Sequence, residues 1–435
     1  MKKTLQALFA LLVAAPAVAQ VPTYRTLPNI GLAMGISPSG TFITGFGGTG
    51  CFIYKTADST VTNIGGVEAY GVTDLGTVGG INQATTPFGP GDIASIYNAS
   101  TGWVNLPGVP GGGYLTGTGS YSHVFGISDN GETVCGMYWA NAGKTTAFVY
   151  NTTTGYINLQ DAGSSARANC ISGDGLVAGG WWQGASRVPI CWYPGPTGTT
   201  VSSFGEMFGT NSTGTYVAGY DNSGVYTVPV LWDRTAGSMI TIPLPTGITD
   251  GQAQAVADNG VTVGYSSVGF GSAAGFIYFP GVGTFDLQSY LTSQGATGVG
   301  DCGRPLGISR NGRYICGVTG GFPRLSWFVD LGSTSTGIGS LQESATVLTA
   351  FPNPVAGDRT TTFQYESAKS VDAVVTVFDL QGRVVKTLAA VPLVAGTNRI
   401  VWDLADDRGV RVPAGSYLVT VSSQGSRSRT TVIVQ

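Results

Sequence analysis

Charge is scarce in this sequence. Only 10% of its 435 residues are Asp, Glu, Lys or Arg, with 21 basic and 24 acidic side chains and a formal net charge of −3. No basic stripe stands out, which argues against nucleic acid as a partner. Histidine occurs once, as His123. One histidine excludes a His-rich metal site and leaves little for a nucleophile–His triad. It precedes the third repeat described below, in a Ser-rich stretch, and reads as a loop side chain. The patterns G-x-S-x-G, H-E-x-x-H, the Walker loop and the EF-hand are all absent. Neither a metal nor a cofactor is expected, and no catalytic residue is nominated. Beyond the first 20 residues no apolar run reaches 18, so the mature chain is expected to lack a membrane-spanning helix.

Glycine is what the chain has in excess, 68 in all. Much of it lies in a phrase that returns seven times: Gly, Ile or Val, Ser, two residues, Gly, three or four residues, Gly. It begins at Gly35, Gly71, Gly126, Cys170, Gly209, Ala255 and Gly307. The central glycine, from Gly40 to Gly312, recurs at intervals of 36, 55, 44, 39, 46 and 52 residues. Each copy reads as a short strand, a tight turn such as Asp129-Asn130-Gly131, and a returning strand. A third strand follows, such as Ala147 to Tyr150, and a fourth, such as Gly155 to Leu159. The Asn-Gly pair suggests a type I′ hairpin. Repeats of 40–50 residues with four short antiparallel strands imply a β-propeller. The expected fold is therefore all-β, with seven four-stranded blades over residues 20–330. After Asp330 comes a linker composition, residues 331–344, and no fourth strand for blade seven. Residues 23–28 resemble the fourth strand of blade two and are expected to complete the ring, since an open edge invites aggregation.

The phrase from Ala147 through Ile157-Asn158-Leu159 to Ser172, Gly175 and Gly179 resembles the HAF-type extracellular repeat of bacterial secreted proteins. Thr146 and Ala274 stand where that family has His. The resemblance implies secretion and carries no activity with it. Residues 1–19 agree: Met1-Lys2-Lys3, an apolar stretch, then Ala17-Val18-Ala19, a secretory signal peptide.

From about residue 345 glycine thins and charge rises. Five alternating strands over residues 345–435 suggest a small immunoglobulin-like sandwich. Pro352-Asn353-Pro354, Asp379 with Gly382-Arg383, Trp402-Asp403, and Gly415 with Tyr417 carry a resemblance to the C-terminal sorting domain of type IX secretion cargo. Trp402-Asp403, Asp407-Arg408-Gly409 and Val412 to Tyr417 equally resemble the immunoglobulin-like domain of the flagellar hook-capping protein. The first resemblance implies the secretion machinery as partner and an extracellular or outer-surface location.

Six cysteines follow the signal peptide. Cys302 and Cys316 are the one pair expected to approach closely enough for a disulfide, Cys316 lying opposite Gly307. Aromatics recur just after the glycine that ends the second strand: Tyr138, Trp139, Trp181, Trp182, Tyr220 and Tyr265. They are expected to ring one rim and to bind an extended ligand, a polysaccharide. The expected function is a secreted or surface, non-enzymatic binding or structural protein. The alternative is a propeller hydrolase or lyase acting on extracellular polysaccharide, with Glu68, Asp161, Asp250 or Asp301 supplying carboxylates.

Overall fold

The computed structural model describes residues 20–27, 30–86, 89–107, 122–141, 143–161, 163–193, 195–245, 247–267, 272–332, 348–356, 360–367, 370–378, 384–423 and 426–435. The chain divides into two compact units, residues 1–337 and 338–435. Residues 1–19, expected as a signal peptide, most of the expected linker and residues 108–121 lie outside the described residues.

The first unit is a seven-bladed propeller. Each blade is one four-stranded antiparallel sheet. Blades one to six follow chain order; blade four, for example, is 166–171, 178–183, 187–192 and 198–200. Blade seven joins both ends of the domain. Its strands 304–308, 314–318 and 326–330 receive Thr23–Leu27 as the outer strand. Thr23 pairs with Asp330 and Leu27 with Ser326, antiparallel. The expected closure is observed.

The repeat phrase explains its own geometry. The serine after Ile folds back on its turn: Ser128 Oγ accepts the N–H of Thr133 at 3.0 Å, and Ser309 Oγ that of Tyr314 at 2.9 Å. The central glycines from Gly40 to Gly312 all take φ between 64° and 82°. A Cβ there would be strained. The type I′ expectation needs correction, since only the glycine of Asn130-Gly131 is left-handed. Gly131 N donates to Ser128 O at 3.0 Å and Ser128 N to Thr133 O at 2.8 Å, a longer loop around one turn.

Every first strand also carries a register shift at the phrase, such as Ala168/Cys170 in blade four. Opposite this bulge a Cβ on Gly136 would sit 1.8 Å from His123 O, and one on Gly180 1.9 Å from Arg167 O. Only glycine fits.

The core lies between blades. Apolar clusters join Ala94, Leu106, Val124 and Phe148 of blades two and three, and Ala147, Ala168, Ile190 and Trp192 of blades three and four. All six cysteines are buried free thiols. Gly307 does face Cys316, as the register required. The disulfide expectation is nevertheless overturned. Cys316 lies in the core between blades seven and one, beside Leu27 and Ala33, whereas Cys302 lies between blades six and seven, beside Val263 and Ile277. The sheet of blade seven separates them. Burial pushes both thiols up to about 12.

The second unit is an immunoglobulin-like sandwich of a three-stranded and a four-stranded sheet. The strand 384–393 was not expected; it edges the four-stranded sheet beside 371–378. Among the described residues no helix is long and apolar enough to cross a membrane.

Candidate functional site: the two ends of the central channel

The first strands line the channel, and alternation sorts their side chains. Ala33, Ala69, Val124, Ala168, Met207 and Ala253 are fully buried between blades. The residues on either side of each are more open, except the buried Glu206 beside Met207. Three positions before the phrase, the seven blades present Leu32, Glu68, His123, Arg167, Glu206, Gln252 and Arg304. This layer forms the mouth of the channel. One position before the phrase stand Met34, Tyr70, Phe125, Asn169, Phe208, Gln254 and Leu306, a mostly apolar waist. Below the waist is a cavity of about 140 Å³, lined by Tyr70, Phe125, Asn169 and Gln254 above and by Asp129 and Arg310 below.

The mouth is built on one carboxylate. Glu206 is 1% exposed and accepts from Arg167 Nη2 at 2.5 Å, Asn169 Nδ2 at 2.8 Å and Arg187 Nη1 at 2.6 Å. Both guanidiniums also lie against aromatic rings. Arg167 Cζ is 5.2 Å from the Phe125 centroid and 5.7 Å from that of Trp181, and Arg187 Cζ is 4.9 Å from Trp181. Arg304 repeats the device alone, 4.6 Å from the Tyr265 centroid. Tyr265 Oη in turn accepts from Gln252 Nε2 at 2.7 Å. On the other side Tyr70 donates its hydroxyl to Glu68. Burial, then this bond, raise the Tyr70 pKa. His123 sits in the strand 122–127, not in a loop, and its ring meets Phe125 edge-on at 5.8 Å. Desolvation lowers its pKa, against the pull of Glu68 and Asp92.

The floor is different in kind. Three positions after the phrase begins stand Pro38, Asp74, Asp129, Gly173, Ser212, Asp258 and Arg310. They link blade to blade. Ser39 N donates to Asp74 Oδ1 at 3.0 Å, Ser212 N to Asp258 Oδ1 at 2.8 Å and Arg310 N to Pro38 O at 2.9 Å. Arg310 of blade seven reaches across the channel to Asp129 of blade three, Nη2 to Oδ1 at 2.8 Å, and donates to Thr210 O of blade five. This bridge closes the bottom of the cavity.

The expected rim divides. Trp181, Tyr220 and Tyr265 lie directly across the strand from Arg167, Glu206 and Gln252, at the mouth. Tyr138 is buried in the core between blades two and three. Trp182 is half-buried and packs on the core between blades three and four. Trp139 is half-buried opposite Thr145. Glu68 lies in the strand 68–72, and the three other candidate carboxylates each bind groups near them. Asp161 binds Lys144 at 2.9 Å, Asp250 accepts from Thr227 N at 3.0 Å, and Asp301 accepts from Gly303 N at 2.7 Å and Gly320 N at 2.8 Å. Each serves the loops around it.

In the sandwich the motif residues serve the fold. Asn353 Oδ1 accepts Ile433 N at 2.9 Å, Asp403 Oδ1 accepts Ala405 N at 3.1 Å, and Trp402 Nε1 donates to Ala405 O at 3.0 Å. Tyr417 meets Trp402 edge-on at 5.6 Å, and its hydroxyl donates to Pro413 O at 2.7 Å. Pro352 O accepts the Thr361 hydroxyl at 3.0 Å, Pro354 follows a cis bond, and Gly415 pairs with Val434. Asp379, Gly382 and Arg383 lie outside the described residues.

Residues 352–426 match the family described as the FlgD Ig-like domain. No curated protein matches the chain. Solved structures match through the fold. One is PorZ of Porphyromonas gingivalis, a surface component of the type-IX secretion system. It is 14% identical, with a TM-score of 0.35, over 92% of this chain and 51% of PorZ. This chain thus spans about half of PorZ. Another is the propeller domain of the Trilobed protease of Pyrococcus furiosus, 10% identical with a TM-score of 0.44, over 69% of this chain and 95% of that one. A third is the oligogalacturonate lyase of Vibrio parahaemolyticus, 9% identical with a TM-score of 0.45, over 72% and 94%. At such identities the likeness extends to the fold alone.

Proposed function

We propose that the protein is an exported, non-enzymatic binding module of the cell surface, taking a polysaccharide at the mouth of its propeller channel. The observation that carries this reading is the mouth layer itself. Six of its seven positions are polar or charged, in a domain that is otherwise poor in charge. Of the four candidate carboxylates, Asp161, Asp250 and Asp301 are held by the loops around them, and Glu68 alone stands at the mouth. The immunoglobulin-like domain is the export signal in this reading, as the motif Pro352-Asn353-Pro354 with Gly415 and Tyr417 suggests.

A glycan-array screen of the mature chain tests the binding. A hit should weaken at least tenfold in Trp181→Ala, which loses the platform beneath two arginines. Release of shortened products from the hit would instead support the lyase or hydrolase alternative, with Glu68 as the candidate. Deleting residues 345–435 tests export: the propeller should remain folded in the periplasm. Normal surface delivery without that domain would remove its sorting role.

A further inference from the structure

Eight buried side-chain nitrogen or oxygen atoms among the described residues have no hydrogen-bond partner, and four belong to the mouth of the channel. They are His123 Nε2, Arg167 Nε, Trp181 Nε1 and Arg304 Nε. A buried donor left unpaired is costly, and four such atoms in one layer point to a partner for that layer. The two arginine Nε–H groups and the indole N–H can only donate. What completes them is an acceptor. Trp181 is only 9% exposed, so its donor is reached from the channel or not at all.

The rings at this rim are already occupied. Trp181 carries two guanidiniums and Tyr265 carries one. Their faces are therefore platforms for arginine rather than for sugar rings. A guanidinium laid on a ring is fixed in orientation and keeps its edge free for an oxyanion. Arg167 and Arg187 share Glu206. Arg304 makes no ion pair among the described residues. Three of the ten basic side chains of residues 21–340 thus gather at one end of a region whose formal charge is −6. Gln252 and Glu68 stand in the same layer and suit neighbouring hydroxyls. The Asp129–Arg310 bridge closes the far end, so the ligand inserts a side group and is not threaded.

We infer that the mouth is an oxyanion site, in which Arg304, held on Tyr265 and without an ion-pair partner among the described residues, receives the carboxylate or sulfate of an acidic polysaccharide. The inference rests on the polysaccharide reading above and narrows it.

Isothermal calorimetry on the full mature chain decides it, with four probes: an oligogalacturonate, a sulfated dextran oligosaccharide, neutral dextran, and a short peptide with a free C-terminal carboxylate. The acidic oligosaccharides should bind, and the stronger of the two identifies the oxyanion. Affinity should fall at least tenfold in Arg304→Gln and recover in part in Arg304→Lys, and it should weaken as salt rises. An unchanged melting temperature in Arg304→Gln shows that folding is not the cause. Should Arg304→Gln melt early, Gln252→Ala provides the second variant and must also weaken binding. Equal binding of neutral dextran, or full affinity in Arg304→Gln, overturns the oxyanion site while leaving polysaccharide binding standing. Binding of the peptide alone overturns both.

Discussion

The two ends of the channel are built from the same repeat, three positions before the phrase and three after it, yet they are opposites. At the floor, backbone and short side chains join six of the seven blade junctions. The one long side chain there, Arg310, is satisfied by Asp129 and Thr210. At the mouth, four buried polar atoms remain without partners. Repetition explains the floor, because each blade must meet the next in the same way. The mouth departs from repetition in almost every blade. A layer freed from the demands of ring assembly is where binding specificity can be written.

The largest expected effect comes from breaking what both ends depend on. Deleting residues 23–27 leaves blade seven with three strands and an open edge. The cooperative melting transition should be lost, or the protein should aggregate. An unchanged transition would mean that the ring does not need its seam.

Next comes the carboxylate at the mouth. Glu206→Ala leaves two arginines and Asn169 without their acceptor. The cost should be about 2–3 kcal/mol by denaturant titration. This is the lower side of a broken buried pair, since Arg187 is half exposed and can turn to water. Arg310→Ala at the floor should cost less, about 1–2 kcal/mol, because Asp129 is 30% exposed. It should also leave ligand binding intact. A reversal of this order, or a loss of binding in Arg310→Ala, would erase the distinction between the ends.

The smallest effect concerns His123. Burial lowers its folded pKa below the ordinary 6.5, so the unfolded chain binds the proton more readily. Stability is therefore full above about pH 6.5 and declines as pH falls from there toward the lowered folded value. Glu68, Asp92 and Arg167 are the charges that bear on it. His123→Gln should flatten the decline that sets in below about pH 6.5, measured by melting temperature. An identical slope in parent and variant would place the acid sensitivity elsewhere.

Much of this was readable in the chain. The glycine phrase gave the blade count, and the resemblance of residues 23–28 to another fourth strand gave the closure. The aromatics after the second-strand glycine were found, but without their meaning. Trp181 and Trp182 are neighbours in sequence and face different blades, because strand side chains alternate. Only Trp181 reaches the mouth. The mouth arginines also leave a signal in the sequence. Aligning the seven phrases and reading the column three places upstream returns Leu32, Glu68, His123, Arg167, Glu206, Gln252 and Arg304. A polar column beside a small apolar one marks a wall that meets solvent. The disulfide failed for a related reason: register placed Cys316 opposite Gly307, but not on which side of the sheet Cys302 would lie.

The sequence by itself determined the repeat, the strands and the need for glycine, because these follow from local backbone geometry and from periodic burial. Its C-terminal motifs likewise determined an immunoglobulin-like domain. Only the tertiary structure decided that Arg310 crosses from blade seven to blade three, that Glu206 gathers two arginines from blade four, and that Trp181 supports both. These groups lie tens to hundreds of residues apart in the chain, and closure of the ring is what brings them within reach of one another.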